Sequence, residues 1–156
     1  MPVRVQSHDF DIGTEVKRLT AGRTDIGAIV TFTGTMRGGT GEHPITSMTL
    51  EHYPGMTEAE LERVEAEARA RWQLQTSLVI HRHGEFRPGD NIVLVVTASP
   101  HRQAAFEAAE FLMDYLKTRA PFWKKEVGSD GAAHWVDARE TDDTAAARWS
   151  HGVGPT

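Results

Sequence analysis

The stretch YLKTRAPFWKKE, Tyr115 to Glu126, sets Lys117, Arg119, Lys124 and Lys125 around a proline and two aromatic residues. The whole chain carries a formal net charge of −5, so this basic cluster is local and calls for either a nearby anion or full solvation. The residues alone leave both open. Lys117 and Arg119 precede Pro121 at the expected end of a helix, where the helix dipole favours cations with no ligand at all. Lys124 and Lys125 are neighbours in an extended segment, so their side chains point to opposite faces. One can be solvated while the other turns inward beside Phe122 or Trp123. Among other bases, an inward lysine has its ammonium form disfavoured, which suits such a group to proton transfer.

A second candidate is SPHRQAAF, where Ser99 and Pro100 fit the cap and first position of a helix. Free N–H groups at a helix start attract anions, Arg102 adds a bidentate fork for phosphate, and His101 can donate a hydrogen bond or shuttle a proton. The plain alternative is a surface arginine. Arg102 and Lys117 stand fifteen residues apart, which in one continuous helix is roughly 22 Å. One protomer does not easily bring both onto a small ligand. Either there are two sites, or a symmetric dimer pairs the helix start of one subunit with the helix end of the other, and the dimer is the preferred reading.

Arg37 follows the apolar run VTFTGTM at the lip of the glycine-rich segment RGGTGEHP. That segment has no Gly-Lys-Ser/Thr, and no Gly-x-Gly-x-x-Gly opens a helix, so neither nucleotide-binding fingerprint is present. His81 and His83 alternate along a strand and could bind a metal, but no adjacent carboxylate or cysteine completes a set, and they read as a packed or solvated pair. Glu51, His52 and Tyr53 read as structural.

These residues need elements to hold them. GAIVTFTG, SLVIHRHG and NIVLVVTAS read as strands, the last two forming a hairpin around RPGD. ITSMTLEHY alternates as a strand with one wetter face. Thr57 and Glu60 form a capping-box pattern ahead of Leu61, Val64, Ala68 and Trp72, which recur at helical spacing. A further helix from Ser99 to about Ala120 carries Phe106, Ala109, Leu112, Met113 and Leu116 and must stop before Pro121. FWKKEV and AHWVD, split by GSDG, form a second hairpin. Helices interleaved with hairpins favour an α+β sandwich over a wholly parallel sheet.

At 156 residues, with 39% hydrophobic and 25% charged, the chain suits a single domain over 1–156, with a polar tail after about residue 140 that is expected to fray. No apolar run is long enough to cross a membrane and no signal peptide is evident, so a soluble cytoplasmic protein is expected. Cysteine is absent, which removes thiolate metal sites and any cysteine nucleophile or persulfide. Any sulfur chemistry must use sulfur carried by another molecule. An acidic whole, 22 acidic against 17 basic residues, argues against broad nucleic-acid binding.

Taken in order, GAIVTFTGTMRG, LEHYPGM, IHRHGEFRPGD, SPHRQAAFEAAEFLMDYLKTRAPFWKKE and WVDAR resemble the large, catalytic subunits of molybdopterin synthase, over about Asp25 to Arg139. The resemblance implies an α/β hammerhead fold. It also implies conversion of cyclic pyranopterin monophosphate (precursor Z) to molybdopterin in molybdenum cofactor biosynthesis. The sulfur donor would be a small ubiquitin-like carrier whose C-terminal Gly-Gly ends in a thiocarboxylate, in a heterotetramer built around a large-subunit homodimer. No resident cofactor or metal is implied. Carried over by position, the family's pocket falls on Arg37, His101, Arg102, Lys117 and Lys124, with Lys125 and Arg139 nearby. Lys117 is similar to the central catalytic lysine and Lys124 to its basic partner. Family members commonly carry a lysine after the Thr-Gly of the first motif; here Thr35 stands there, leaving Arg37 as the basic residue of that stretch. Two rival readings are a non-catalytic adaptor whose basic groove receives the tail of a ubiquitin-like protein, and a phosphosugar or nucleotide-binding domain.

Overall fold

The computed structural model describes residues 2–39, 44–119, 121–129, 131, 133–136, 147 and 149. Along these run β1 (Val3–Gln6), α1 (Ile12–Thr20), β2 (Ala28–Thr35), β3 (Ile45–His52), α2 (Met56–Arg71), β4 (Thr76–Arg82), β5 (Gly84–Phe86), β6 (Asn91–Ser99), α3 (Arg102–Thr118), β7 (Phe122–Gly128) and β8 (Ala133–Val136). They build two four-stranded sheets, ordered β1-β4-β6-β2 and β5-β3-β7-β8. Only the β1–β4 pairing is parallel. This is the expected α+β architecture of mostly antiparallel strands with packed helices.

The central strands of the first sheet, β4 and β6, are covered on both faces, which is why they are near-continuous apolar runs rather than alternating ones, while the edge strand β2 leaves Ile29 and Phe32 exposed. Leu78, Ile80, Leu94 and Val96 meet Phe10, Ile12, Val16 and Leu19 on the α1 side. Val79, Val93 and Val95 turn the other way, under Leu61, Val64 and Ala68 of α2 and Ala108, Phe111, Leu112 and Tyr115 of α3. The second sheet closes over a smaller cluster of Met36, Met48, Leu50 and Phe86, with Ile45, Ile92 and Phe122 against it.

Three local expectations shift. β4 and β6 do pair antiparallel, but the chain between them turns at Gly84, whose φ of 112° suits only glycine. β5 thereby leaves the hairpin and pairs with β3 in the second sheet, joining the two sheets. α2 begins earlier than the Thr57–Glu60 pattern suggests: Glu58 accepts the Gly55 N–H at 3.2 Å. Thr57 is buried, and its hydroxyl accepts the Tyr53 N–H at 3.0 Å and donates to the Pro121 carbonyl at 2.9 Å. α3 begins at Arg102 with His101 as its cap residue, while the Ser99 hydroxyl accepts the His101 N–H at 3.1 Å. Its end at Thr118 and the β7–β8 hairpin follow the sequence reading.

Beyond β8, Trp149 packs edge-on against Trp72 and Phe111. Its indole N–H donates to Asp114 at 2.7 Å, and its carbonyl accepts from Arg71 at 2.9 Å. The tail is thus pinned to the α2–α3 surface at this residue. SHGVGPT from Ser150 onward, expected to fray, lies outside the described residues, as does Arg139.

Candidate active site

β6 runs from Asn91 to Ser99 and α3 returns over it, so the two ends of α3 lie at opposite ends of the sheet. At the start of α3, Ala28 of β2 pairs with Ser99 and the Gly27 N–H donates to the Ser99 carbonyl at 3.0 Å. A Cβ at Gly27 would lie 2.1 Å from the Pro100 carbonyl oxygen, so only glycine admits this approach beside His101 and Arg102. At the other end Thr35 pairs with Asn91, and Met36 bonds the 87–90 turn through its N–H to Asp90 at 2.9 Å and its carbonyl from Gly89 at 2.8 Å. This places Arg37 beside that turn. Along β2 the two ends are seven residue steps apart, about 23 Å.

The predicted residues therefore fall into two groups within one chain. Arg37 and Lys117 belong to one end of the fold, and His101 and Arg102 to the other. All four are exposed. His101 makes no side-chain cap bond and the first turn of α3 holds no acidic residue, so the helix start keeps its partial positive charge. Neither Arg37 nor Arg102 forms an ion pair with a described residue.

Register in the second sheet decides between the two neighbouring lysines. Lys124 lies opposite Leu50, a buried residue, and shares its face of β7 with Phe122 and Glu126. Lys125 and Trp123 occupy the opposite, exposed face. Lys124 is the inward one: its Nζ lies 3.3 Å from Glu126 Oε1, with side-chain exposures of 32% and 13%. That carboxylate holds the ammonium at the inner face while leaving it reachable.

Against Phe122, two residues before Lys124, sits a group the sequence left as structural. The His81 ring stacks on Phe122, centroids 3.9 Å apart at 21°, and His52, the strand partner of Phe122, has its ring 4.2 Å from that of His83. His81 and His83 do not act as one alternating pair, because β4 ends at Arg82 and Gly84 redirects the chain. Desolvation is the main reason the His81 imidazole is pushed down to about 4, with the nearby charges of Lys117, His83 and His52 adding to it. His83 is lowered by desolvation and by His52, against an opposing pull from Glu58. The rings stack instead of converging, and among the described residues no group of three or more side chains is arranged to hold a metal.

Comparison with known proteins fits this architecture. A family model described as MoaE protein matches residues 5–119. The molybdopterin synthase catalytic subunit of Mesorhizobium japonicum is 61% identical over 148 residues, covering 94% of this chain and 92% of that one. Among solved structures, the molybdopterin biosynthesis MoaE protein of Burkholderia ambifaria superposes with a TM-score of 0.81 at 51% identity, covering 95% and 97% of the two chains. The molybdopterin synthase of Staphylococcus aureus superposes at 0.80 with 26% identity, covering 88% and 98%.

Proposed function

The chain belongs to the MoaE family, that of the molybdopterin synthase catalytic subunits, and from that premise we propose that it converts cyclic pyranopterin monophosphate to molybdopterin. Sulfur comes from the C-terminal thiocarboxylate of a small ubiquitin-like carrier subunit, two of which flank a homodimer of this chain in a cytoplasmic heterotetramer. With no cysteine in the chain, the sulfur has to arrive on the partner.

The observation that carries this reading is the inward Lys124 at the sheet junction where α3 delivers Lys117. The thiocarboxylate sulfur attacks a side-chain carbon of the pterin, forming a C–S bond and a thioester to the carrier. As the cyclic phosphate opens, a C–O bond breaks and its electrons go to phosphate oxygen. Lys117 and Lys124 neutralise that charge and supply protons, a stabilisation greatest in the transition state. Water then attacks the thioester carbonyl, releasing the carrier as a carboxylate and leaving sulfur on the pterin. A second carrier transfers sulfur in the same way to the adjacent side-chain carbon, at the carbonyl level, whose oxygen leaves as water, and tautomerisation of the two sulfur-bearing carbons gives the dithiolene. Arg37, with His101 and Arg102 from the second subunit, binds the phosphate; Lys125 and Arg139 extend the basic rim.

Lys117→Ala tests this directly, with thiocarboxylated carrier and precursor Z as substrates and molybdopterin as the readout. Product formation should fall at least about a hundredfold, as when one transition-state charge partner is removed, with the melting temperature unchanged. Near-normal turnover refutes the assignment of Lys117. Carrier binding with no conversion by the unmodified protein would favour the adaptor reading.

A further inference from the structure

β2 is the longest edge strand of the two sheets, and among the described residues no strand pairs with its outer side. Edge strands are commonly kept short, charged or broken by proline, so that they do not pair with another chain. The other three edges are short: β5 has three residues, and β1 and β8 have four each. β2 has eight, with no charged residue and no proline from Ile26 to Met36. Its one shift of register, between Gly34 and Thr35, lies at its very end. Ile29 and Phe32, on opposite faces of the strand, are 43% and 41% exposed. A long, neutral, apolar edge of this kind calls for a cover.

α3 lies over both β6 and β2, and so beside that edge. Arg102, Phe106, Met113 and Lys117 share one face of the helix, with the small Ala109 among them. Phe106 is 60% exposed and Met113 is half-buried, so the face has an apolar centre and a cation at each end. Its spacing is self-complementary. Phe106 and Met113 are equally distant from the Ala109–Glu110 midpoint, and so are Arg102 and Lys117. In an antiparallel pair of such helices, Phe106 of one copy meets Met113 of the other, and Arg102 meets Lys117.

We propose that the homodimer forms by pairing β2 antiparallel with β2 of a second copy, about a two-fold axis at Thr31–Phe32, with the two copies of α3 packed side by side on one continuous eight-stranded sheet. Strand and helix point to the same axis independently. The Ala28 end of β2 adjoins the start of α3, and the Thr35 end adjoins the start of β6, over which α3 finishes. One strand spacing of about 4.8 Å between the two copies of β2 brings the α3 axes to about 10 Å, the distance at which helices pack. Phe32 shares its face of β2 with Val30, which packs against the α3 cluster, so it is covered beneath that joint. The contact is isologous and closes at two copies. Each end of the helix pair gathers Arg102 of one chain and Lys117 of the other, two cations whose repulsion is relieved by an anion such as a phosphate ester between them. Only this last step rests on the molybdopterin synthase reading; the interface itself stands on the strand edge and the helix face.

The chain has no cysteine, so introduced thiols report without background. In the double variant Phe106→Cys/Met113→Cys the two thiols are about 10 Å apart along one helix, too far to bridge within a chain, but they face each other between chains. Mild oxidation should convert most of the protein to disulfide-linked dimer. Each single variant places its thiol about 10 Å along the axis from its own copy, and should not cross-link, whereas the two single variants refolded together should. No linked dimer from the double variant, or equal linking by the single ones, overturns the proposal. Sedimentation gives a second measurement with no thiol. Phe106→Asp, at an exposed position, should raise the dimer Kd at least about thirtyfold, as expected for a central apolar anchor. Trp135→Asp, on the exposed face of the second sheet, should leave it unchanged. Phe106→Asp that dimerises normally, Trp135→Asp that dissociates in its place, or an unmodified protein that sediments as a monomer each overturns the interface. Neither measurement uses turnover: linked dimers that make no molybdopterin would count against the functional reading alone, and an active protein that does not link would count against the interface alone.

Discussion

Mixing two inactive variants should restore activity if the site is shared between subunits. α3 is a 17-residue helix from Arg102 to Thr118, so fifteen rises separate Arg102 from Lys117, roughly 22 Å. β2 and β6 reproduce the separation independently, with Ala28 opposite Ser99 at one end and Thr35 opposite Asn91 at the other. A pterin monophosphate is far shorter than that. Arg102→Ala and Lys117→Ala should each be inactive alone. When equal amounts are unfolded and refolded together, about half of the dimers combine one chain of each kind, and each such dimer has one site with both residues intact, so about a quarter of all sites recover. The assay is molybdopterin formation with saturating carrier, comparing the co-refolded mixture with each variant refolded alone. If Arg102 and Lys117 served the same site from one chain, every site would lack one of them. Activity no higher than the separate variants, with mixed dimers confirmed by mass spectrometry, refutes the shared site.

His81 makes stability depend on pH. The unfolded chain takes up a proton near 6.5, whereas the folded protein resists it until about 4. Its contribution is therefore complete above 6.5 and lost as pH falls toward 4, by about 2–3 kcal/mol; His83, lowered as well, adds in the same direction. Urea midpoints between pH 7.5 and 4.5 should show this decline, and His81→Phe should flatten it; an equal decline in that variant rules out His81 as its source. Thr57→Val keeps the volume but leaves the Tyr53 N–H and the Pro121 carbonyl without their partner, which should cost about 2 kcal/mol in urea unfolding. Thr57→Ser should retain most of that stability, and a Thr57→Val as stable as the parent would show that the bridge contributes nothing.

What could be read from the sequence was local. The end of α3 followed from Pro121, and the strands from their β-branched runs. Alternation said that one of Lys124 and Lys125 faces inward, but both lysines have an aromatic residue two positions earlier, Phe122 and Trp123. Only pairing with β3, which sets Lys124 against Leu50, decides between them. Gly84 hid the departure of β5, because a glycine after a strand signals a turn without saying which sheet follows. The split of Arg37 from His101 and Arg102 depends on β2–β6 register across some sixty residues of sequence, beyond any local pattern. His81 was passed over for a related reason. As a metal ligand it lacks partners, and its actual partner, Phe122, is distant in sequence and becomes adjacent only where the two sheets meet.

If Lys117 and Lys124 carry the reaction as proposed, the precision of the site resides in the start of β7 more than in the lysines themselves. Lys117 and Lys124 are separated by the end of α3, Pro121 and Phe122, and an unsupported joint of that kind would let the two ammonium groups drift. Three contacts converge there: Thr57 holds the Pro121 carbonyl, the His81 ring lies flat on Phe122, and His52 is the strand partner of the same residue. They come from α2, β4 and β3, three separate elements. A displacement of about 1 Å can cost a hundredfold in rate, so substitutions at Thr57, His81 or His52 should reduce turnover even though none of these side chains carries the charge that stabilises the reaction.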